Sequence, residues 1–564
     1  MAEAGARAAH DLAKLAVEET GIGRVHYKVL KNLFASEGVW GSIKDEKTVG
    51  VIKRDTARGI VEIATPAGVI AGIVPTTNPT STAIGKAIIA VKGRNAIVLS
   101  PHPRSKRCIG ESAEVMRRAI ERAGGPADLV QSLSNPTIES TSALMKHRKT
   151  ALILATGGSA LVRAAYSSGK PAYGVGPGNV PVYVDRTAKV TEAARGVVAS
   201  QSFDNATFCC SEQAVVLDRP IANEFLAEMQ RCGAHLCNAE ETRKLEVYCN
   251  RGGMMNPDVV GKDPSWIAER AGFSVDKNTS VLLAHQDGVG KDFPLSIEVL
   301  CPLLSVHIVD GWQAGCDVSF SILRFGGMGH TIGVWADDAA VLEAWYLQKP
   351  ASRIIVNGPT SPGAVGYSTN LVPSLSLGCG PQAGNITSDN ISARHLVNIK
   401  RAAMPRADWR EVYERDMARV AAMTGERAPR GSGLPGDPAL GGGAADGRAT
   451  ITPFASAGGG AVQSSAAAAP ARSPAPAPQA SAFVRTTPKF TSGSPAARTS
   501  SSSYARPAAT AAAPAAPRSS AADVGAALSP NEIQEMMTHA GAGCPLGPCK
   551  GCPHQDVRTG ACTA

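Results

Sequence analysis

The pattern of apolar and polar positions changes near Gly59. Before it, Leu12, Leu15 and Val17 recur among charged residues at the spacing of an amphipathic helix, which predicts a helical region over residues 1–50. After it, short runs rich in β-branched residues alternate with helical stretches. Alternating strands and helices are typical of βαβ units, so the chain predicts an α/β fold with a parallel sheet.

Short β-branched runs predict strands, and amphipathic runs between them predict helices. The predicted strands occupy residues 60–64, 68–74, 95–100, 150–155, 180–184 and 302–309, and the predicted helices occupy residues 82–91 and 109–124. Ligands of parallel sheets bind beyond the carboxyl ends of the strands. We therefore expect a cofactor site at three polar tips that follow strands: Thr76-Thr77-Asn78, Ser100-Pro101-His102-Pro103 and Thr156-Gly157-Gly158. No G-x-G-x-x-G fingerprint follows the first strand, so these patterns alone leave nucleotide binding open.

Two adjacent cysteines, Cys209 and Cys210, stand between small polar residues and the apolar run 214–217. A thiol at the start of a buried strand suits covalent catalysis, because a thiolate readily attacks carbonyl carbon near neutral pH. The alternative is that both cysteines are small core residues. His330, in a glycine-rich stretch, leaves the same choice open, since a lone histidine is more often structural than catalytic.

Composition and charge exclude several classes of protein. The 564 residues suffice for two or three domains, and the net charge of +9 is spread along the chain, so we expect no nucleic-acid partner. The 13 cysteines are scattered and odd in number, unlike a secreted disulfide framework. The first residues lack the apolar segment of a signal peptide, and no run of about 18 apolar residues occurs. These features predict a cytoplasmic protein with reduced thiols and no membrane partner.

The composition changes sharply after Arg427. Residues 428–522 are rich in Ala, Pro, Ser and Gly with few large apolar side chains, which predicts a disordered linker. In the final segment, residues 523–564, a capping-box pattern precedes apolar positions spaced as in an amphipathic helix, at Ile533, Met536, Met537 and Ala540. A helix this short is marginal alone, so we expect residues 529–540 to fold on a partner.

Cysteines in the final segment permit three interpretations. Cys544, Cys549 and Cys552 form a C-x4-C-x2-C pattern, with His554 and Cys562 nearby. Reactive or structural thiols, a zinc site and an iron–sulfur cluster stay open. The segment has no fold to hold a fourth cluster ligand, so no metal is assigned to it.

Motifs spread over about residues 20–410 resemble, in order and spacing, the CoA-acylating aldehyde dehydrogenases. The match is strongest to the aldehyde dehydrogenase half of the bifunctional aldehyde–alcohol dehydrogenases. The matching stretches are residues 68–84, 94–97, 100–104, 154–158, 165–172, 174–176, 203–205 with Cys209, 211–213, 329–331 and 377–380. The linker and the final segment stand in place of the iron-dependent alcohol dehydrogenase half.

The resemblance implies an aldehyde dehydrogenase-like fold. A Rossmann-type NAD-binding domain is expected over residues 1–187, completed by about residues 385–426, with an α/β catalytic domain over residues 188–384. Sheet extensions are expected to join copies of the chain into a homo-oligomer. The implied reaction oxidises a short-chain aldehyde, acetaldehyde or propionaldehyde, with NAD and CoA. It yields acyl-CoA and NADH through a cysteine thioester and is reversible.

The resemblance also assigns roles to residues. Cys209 aligns with the nucleophile, Asn78 and the backbone N–H of Cys209 would stabilise the oxyanion, and His330 matches an active-site histidine. The residues expected to bind the cofactor are Ile73, Val74, Pro75, Thr76, Thr77, Ser100, His102, Thr156, Gly157, Gly158, Gly176 and Glu298.

Three positions around the nucleophile depart from the family pattern. Cys210 stands where alanine is common, Ala206 where glycine is usual, and Phe208 where a small aliphatic residue is usual. These changes concern the shape of the pocket, and they predict where the aldehyde is selected. Hydrolytic relatives carry a glutamate base in the region that here reads Gly174-Val175-Gly176-Pro177-Gly178. Without that carboxylate, the thioester is spared for CoA.

Other functions stay open at this stage. One is the same chemistry on sulfoacetaldehyde or another functionalised aldehyde, and another is a non-catalytic scaffold with a partner-binding tail. A short helix on a linker also resembles the cargo enzymes of bacterial microcompartments, in which such a helix packs on shell proteins. On this hypothesis, residues 529–540 would bind shell proteins and the enzyme would lie inside a microcompartment.

Overall fold

The computed structural model of the protein describes residues 1–425. The predicted linker at 428–522 and the final segment at 523–564 lie outside the described residues. The described chain divides into two compact units, residues 1–407 and a second unit that begins at Asp408 and is represented by the helix Trp409–Thr424. Between residues 1 and 425, no helix has both the length and the apolar character needed to cross a membrane.

Helices and strands alternate through the first unit, as the sequence predicts. The helices are α1 (Ala2–Arg7), α2 (Ala9–Thr20), α3 (Val25–Leu33), α4 (Val39–Ile43), α5 (Pro79–Lys92), α6 (Lys106–Arg122), α7 (Ile138–Lys146), α8 (Ser159–Tyr166), α9 (Val190–Ser202), α10 (Arg219–Arg231), α11 (Ala239–Cys249), α12 (Pro264–Ala271), α13 (Gly311–Gly326), α14 (Ala339–Gln348), α15 (Thr360–Ala364) and, in the second unit, α16 (Trp409–Thr424). The strands are β1 (Gly50–Asp55), β2 (Ile60–Pro66), β3 (Val69–Ile73), β4 (Ala96–Ser100), β5 (Val130–Ser132), β6 (Thr150–Thr156), β7 (Ala172–Val175), β8 (Val180–Val184), β9 (Glu212–Asp218), β10 (Ala234–Leu236), β11 (Asn250–Arg251), β12 (Met254–Met255), β13 (Val281–His285), β14 (Leu303–Val309), β15 (Gly329–Trp335), β16 (Ala351–Val356) and β17 (Val397–Ala403).

A parallel sheet of five strands has the order β5-β4-β3-β6-β7. Alternate side chains of β3 enter different cores, because successive residues of a strand point to opposite faces. Ile70 packs with α5 and α6, whereas Val69 and Ala71 pack with α7 and α8. After β3 the chain adds β4 and then β5 on one side of β3. It then crosses to the other side of β3, where it adds β6 and then β7. This change of direction opens a crevice at the carboxyl ends of β3 and β6.

A second parallel sheet has seven strands in the order β10-β13-β14-β9-β8-β15-β16. It is also covered on both faces, since Val215 and Leu217 pack with α9 and α10 while Ala214 and Val216 pack with α13 and α14. Strand β8 lies inside this second sheet, where it pairs with β9 on one side and with β15 on the other. The chain passes from the five-stranded sheet to the seven-stranded sheet at residues 176–179. In the sequence this glycine-rich segment looks like an ordinary turn within one domain.

A third, antiparallel sheet has the order β1-β2-β17. The sequence predicts the strand at residues 60–64 as part of the parallel sheet, and this assignment is wrong. Ile63 pairs with Val51 on one side and with Lys400 on the other. The strand β17 comes from more than 300 residues later in the chain, as the Asn398–Thr65 hydrogen bond shows with its separation of 333. Such distant pairing leaves no local signal in the sequence.

Candidate active site

Cys209 and His330 meet at the amino-terminal edge of the seven-stranded sheet. Cys209 lies three residues before the start of β9 and His330 is the second residue of β15, with β8 between these strands. The Nε2 atom of His330 lies 3.1 Å from Cys209 Sγ, and its Nδ1 atom lies 2.9 Å from Thr331 Oγ1. Buried Arg353 of β16 donates from Nη2 to the backbone oxygen of His330 at 2.9 Å. The imidazole is therefore held where it can exchange a proton with the thiol.

Burial sets the protonation of this pair. Desolvation raises the pKa of the Cys209 thiol well above its usual value. Desolvation also lowers the pKa of His330 well below its usual value, and nearby Arg353 adds to this effect. The resting pair is thus a neutral thiol beside a neutral imidazole, and a neutral imidazole can accept the thiol proton.

The neighbouring thiol, Cys210, belongs to the core. Its side chain is fully buried, and its Sγ atom donates to the backbone oxygen of Ser361 at 3.5 Å. Burial raises the pKa of Cys210 to about 12. Cys209 lines the cavity in front of it and Cys210 does not. The arrangement therefore favours Cys209 as the reactive thiol of the two.

Residues 203–209, here called the nucleophile loop, have an unusual backbone. The φ angles of Asp204, Asn205 and Ala206 are 49°, 54° and 57°. This left-handed region suits glycine and, to a lesser degree, Asn and Asp, but it strains alanine. Asn205 holds the turn by donating from Nδ2 to the backbone oxygen of Gly261 at 3.0 Å. The positive φ at Ala206 explains why the family pattern leads one to expect glycine there.

A buried ionic network ties the nucleophile loop to α3. Lys31 Nζ donates to Asp204 Oδ2 at 2.6 Å, to Thr207 Oγ1 at 2.9 Å and to Asn78 Oδ1 at 2.7 Å. Lys28 Nζ donates to the same Asp204 oxygen at 3.0 Å. Desolvation lowers the pKa of Lys31 to about 8, so Lys31 is still charged at neutral pH. The network fixes the loop that carries the nucleophile against the loop that carries Asn78.

Asn78 faces the cavity, but its side chain is engaged in this network. Its Nδ2 atom donates to the backbone oxygen of Thr207 at 3.0 Å and to Thr77 Oγ1 at 3.2 Å. Both amide hydrogens are therefore directed at protein acceptors. Asn78 therefore links its own loop to the nucleophile loop. Its role in stabilising the oxyanion stays a prediction. That role requires Asn78 Nδ2 to give up its hydrogen bond to Thr77 Oγ1 and to donate to the oxyanion instead.

A cavity of about 950 Å³ opens in front of Cys209 at the carboxyl edge of the five-stranded sheet. It is lined by all of the residues predicted to bind the cofactor: Ile73, Val74, Pro75, Thr76, Thr77, Ser100, His102, Thr156, Gly157, Gly158, Gly176 and Glu298. Cys209 and Asn78 line the same cavity. The carboxyl ends of the five-stranded sheet thus face the amino ends of the seven-stranded sheet. A ligand bound at the five-stranded sheet would lie next to Cys209.

Glu298 places a half-buried carboxyl group in the cavity wall. The backbone N–H of Gly178 donates to its Oε1 atom at 2.9 Å. Desolvation raises the pKa of Glu298 to about 8, with the Gly178 N–H opposing the shift. The carboxyl group is therefore protonated at neutral pH and can donate a hydrogen bond.

The raised pKa of Glu298 predicts a stability that depends on pH. An unfolded glutamate ionises near pH 4.3, whereas the folded Glu298 keeps its proton up to about pH 8. Its contribution to stability is complete below the unfolded pKa and is lost as pH rises through this window. We expect the unfolding midpoint of Glu298→Gln, relative to the parent, to increase between about pH 5 and about pH 8.

The matched control for that measurement is Glu139→Gln. The pKa of Glu139 is lowered by its own backbone N–H and by Thr137. Its carboxylate is therefore ionised above about pH 5 in both states, and its effect should be constant across the window. If the difference in unfolding midpoint between Glu298→Gln and the parent is also constant from about pH 5 to about pH 8, Glu298 is not protonated in the folded protein.

Gly178 lies against Cys209 and leaves no room for a side chain. A Cβ atom there would lie 2.1 Å from the backbone oxygen of Cys209 and 3.1 Å from Cγ of His330. We expect Gly178→Ala to lower the free energy of unfolding by about 1–3 kcal/mol, as overpacking does. The control is Gly176→Ala in the same turn, where a Cβ atom would meet nothing within 4 Å. Urea unfolding of both variants checks this, and equal destabilisation would refute the close contact.

Sequence reasoning missed a buried lysine beneath the cavity. Lys86 of α5 donates from Nζ to the backbone oxygens of Ile73 at 2.6 Å and Leu154 at 2.8 Å. Burial lowers the pKa of Lys86 to about 7. Lys86 thereby ties together β3 and β6 at the crevice. The available signal was a lysine in the middle of a helix whose neighbouring positions, such as Ile84 and Ile88, are apolar.

One wall of the cavity was also not predicted. The residues on and before α7 that line it are Pro136, Thr137, Ile138, Thr141, Ser142, Met145 and Lys146. Thr137 starts this helix with a capping box, in which Thr137 and Ser140 satisfy each other's backbone N–H groups. The capping pattern predicts the helix but carries no information about the cavity.

The comparisons with known proteins agree with this architecture. The aldehyde dehydrogenase family profile matches residues 1–246. An aldehyde-alcohol dehydrogenase of Streptococcus pneumoniae is 42% identical over 423 residues, which covers 72% of this chain and 48% of that protein. The chain therefore spans about half the length of this curated relative.

Two solved structures are similar over nearly their whole length. An acetylating aldehyde dehydrogenase from Geobacillus thermoglucosidasius has a TM-score of 0.72 and 49% identity, covering 72% of this chain and 90% of that chain. A propionaldehyde dehydrogenase from the Clostridium phytofermentans fucose utilisation bacterial microcompartment has a TM-score of 0.65 and 28% identity, with the same two coverages of 72% and 90%. The chain belongs to the aldehyde dehydrogenase family and, within it, to the CoA-acylating members.

Proposed function

We propose that the protein oxidises a short-chain aldehyde with NAD and CoA to acyl-CoA and NADH, reversibly. The observation that carries this is the contact of Cys209 Sγ with His330 Nε2 at 3.1 Å beside the cavity of about 950 Å³. NAD, when bound, supplies the hydride acceptor. We propose an NAD-binding domain over residues 1–187, completed by about residues 385–426, and an α/β catalytic domain over residues 188–384.

The proposed reaction makes two transfers at one sulfur. Cys209 Sγ bonds to the aldehyde carbonyl carbon while His330 takes the thiol proton, which gives a thiohemiacetal whose oxygen carries the negative charge. Loss of a hydride from that carbon leaves an acyl thioester on Cys209. The CoA thiol then attacks the thioester, and Cys209 leaves as the thiolate. Aldehyde, NAD and CoA become acyl-CoA, NADH and one proton.

Two features favour CoA over water as the acyl acceptor. Residues 174–178 carry no carboxylate that could serve as the base of a hydrolytic enzyme. Glu298 does line the cavity, but its pKa of about 8 leaves it protonated at neutral pH. A protonated carboxyl group cannot take a proton from water. The thioester is therefore spared until CoA arrives.

An apolar cluster around the thiol supports a short, uncharged substrate. Phe208, Val365 and Leu377 pack together beside Cys209. The ring of Phe208 stacks on Phe203 with 5.7 Å between centroids, and Lys31 Nζ lies 4.0 Å from its centroid. A ring held on both sides limits the length of the acyl group that the pocket accepts. Sulfoacetaldehyde, the alternative substrate, would bring a buried sulfonate against this cluster.

A substrate panel tests the proposal. NADH formation is measured with and without CoA, using acetaldehyde, propionaldehyde, butyraldehyde and sulfoacetaldehyde. We expect CoA-dependent turnover that is greatest for the shortest uncharged aldehydes. Preference for sulfoacetaldehyde would select the alternative substrate. No NADH with any aldehyde would favour the non-catalytic scaffold.

Phe208→Ala provides a second arm for the same panel. Removing the ring should raise kcat/KM for butyraldehyde relative to acetaldehyde by about tenfold, the usual worth of a methylene or two in a pocket. An unchanged ratio would show that Phe208 does not limit the length of the substrate.

We further propose that copies of the chain join through the three-stranded sheet. Strand β17 is an edge strand in the described chain, and all but its first residue are exposed. An exposed edge strand readily pairs with another chain. Sedimentation of the native protein should give an oligomer, and a monomer at micromolar concentration would contradict this.

Association with a microcompartment is also proposed, through residues 529–540, which lie outside the described chain. It rests on the amphipathic spacing there and on the similarity to a microcompartment propionaldehyde dehydrogenase. Deleting residues 524–564 should abolish co-purification with shell proteins while leaving turnover intact. Unchanged co-purification would refute this role.

A further inference from the structure

A cluster of three different metal-ligating side chains lies on the edge of the seven-stranded sheet. His235 belongs to β10, Cys237 follows that strand, and Glu241 lies in the first turn of α11. Their ligand atoms all lie within 4.8 Å of one another. Among residues 1–425, this is the single group of three or more such donors that come so close. None of the three lines the catalytic cavity.

The backbone fixes the two donors near the strand. His235 pairs with Leu282 of β13, and the backbone N–H of Cys237 donates to Leu283 O at 2.9 Å. Side chains two residues apart on an extended chain point to the same side, so the imidazole and the thiol face one space. These positions are set by the sheet and do not depend on a bound ligand.

The third donor is fixed by the cap of α11. Asn238 Oδ1 accepts from the backbone N–H of Glu241 at 3.0 Å, and Glu241 Oε2 accepts from the backbone N–H of Asn238 at 3.0 Å. The same Oε2 atom lies 3.0 Å from His235 Nε2. Because both contacts use Oε2, Oε1 can bind a cation without breaking the cap. The cap itself requires no sulfur, so it does not account for Cys237.

The donor set has a defined chemistry. We propose that His235, Cys237 and Glu241 bind a divalent cation of the zinc class, with a fourth position left to water. Nitrogen, thiolate sulfur and carboxylate oxygen are the donors that Zn²⁺ takes in proteins. The side chains of His235 and Glu241 are 31% and 17% exposed, which gives a path for entry, while Cys237 is 4% exposed. Binding converts the thiol to a thiolate and releases its proton to water.

The proposed cation has a structural role. It would join the end of β10 to the start of α11, whose far end leads into the β11–β12 hairpin. Met255 of that hairpin lines the catalytic cavity. Loss of the cation should therefore lower the thermal midpoint of the protein, with no step of the proposed reaction depending on it.

Cobalt titration of the full chain tests the site. The protein is stripped with a chelator, and Co²⁺ alone is added while the thiolate-to-cobalt absorption band is followed. The parent carries Cys544, Cys549, Cys552 and Cys562 replaced by serine, so that the final segment offers no thiol. The test variants are Cys237→Ser and His235→Ala, and the matched control is Cys232→Ser, which removes another thiol next to β10.

The outcomes separate cleanly. We expect one cobalt with a thiolate band in the parent and in Cys232→Ser, and loss of that band in Cys237→Ser. His235→Ala should raise the dissociation constant for Co²⁺ at least about tenfold. The same band in Cys237→Ser, or no band in the parent, would overturn the proposal. If Cys237→Ser does not fold, an unchanged dissociation constant in His235→Ala overturns it equally.

Discussion

Replacing Cys209 by alanine should lower CoA-dependent NADH formation by more than about a thousandfold, because removal of a covalent nucleophile leaves no route to the thioester. The distance of 3.1 Å from His330 Nε2 and the open face toward the cavity both select this thiol. The thermal midpoint should change little, since Cys209 lies at the cavity wall and is less buried than Cys210. Initial rates at saturating NAD and CoA provide the measurement.

Cys210→Ala is the matched control for that experiment. This side chain is fully buried and is directed at the backbone of Ser361, so its loss should affect packing more than chemistry. We expect a loss of stability of about 1–2 kcal/mol and turnover within a few-fold of the parent. If Cys210→Ala abolishes turnover while Cys209→Ala retains it, the assignment of the nucleophile is wrong.

Asp204→Asn should be the most destabilising of the substitutions considered, because it leaves two buried lysines without their carboxylate. Lys28 and Lys31 both donate to Asp204 Oδ2, at 3.0 Å and 2.6 Å, and all three side chains are no more than 2% exposed. Breaking a buried ion pair by removing one partner costs about 3–5 kcal/mol. Urea unfolding at pH 7 measures this loss directly.

The same substitution should also reduce turnover in the fraction that stays folded. The nucleophile loop and Asn78 are held together through Lys31, and a small displacement of a nucleophile can cost about a hundredfold in rate. Arg219→Ala is the control, since its ion pair with Asp310 at 2.5 Å is exposed and should contribute at most about 1 kcal/mol. Equal effects of the two variants would show that the buried network is not needed to position the loop.

The elements of the fold were predictable where a local pattern carries them. The runs at 68–74, 95–100 and 150–155 became β3, β4 and β6, because β-branched residues bounded by polar tips define buried parallel strands. The antiparallel pairing of β2 with β17 was not predictable, since it joins residues more than 300 positions apart. The point at which the chain passes from one parallel sheet to the other was not predictable either, because residues 176–179 look like any tight turn.

The candidate site was predictable mainly through its motifs. The polar tips after β3, β4 and β6 pointed to the cavity, and the resemblance singled out Cys209 and Glu298. The Lys31–Asp204 contact spans 173 positions and was missed, because neither residue belongs to a motif that signals a buried charge. The hydrogen bond from Asn78 Nδ2 to the backbone oxygen of Thr207 was missed for the same reason, since these residues are 129 positions apart.

The central claim is that an acyl group rests on Cys209 and leaves to CoA. Mass spectrometry of the intact protein and of its peptides, after reaction with NAD and propionaldehyde without CoA, tests it most directly. The account predicts one acyl group per chain on Cys209, stable in buffer and released as acyl-CoA when CoA is added. An acyl group on Cys210, no acyl group at all, or hydrolysis as fast as transfer to CoA would contradict it.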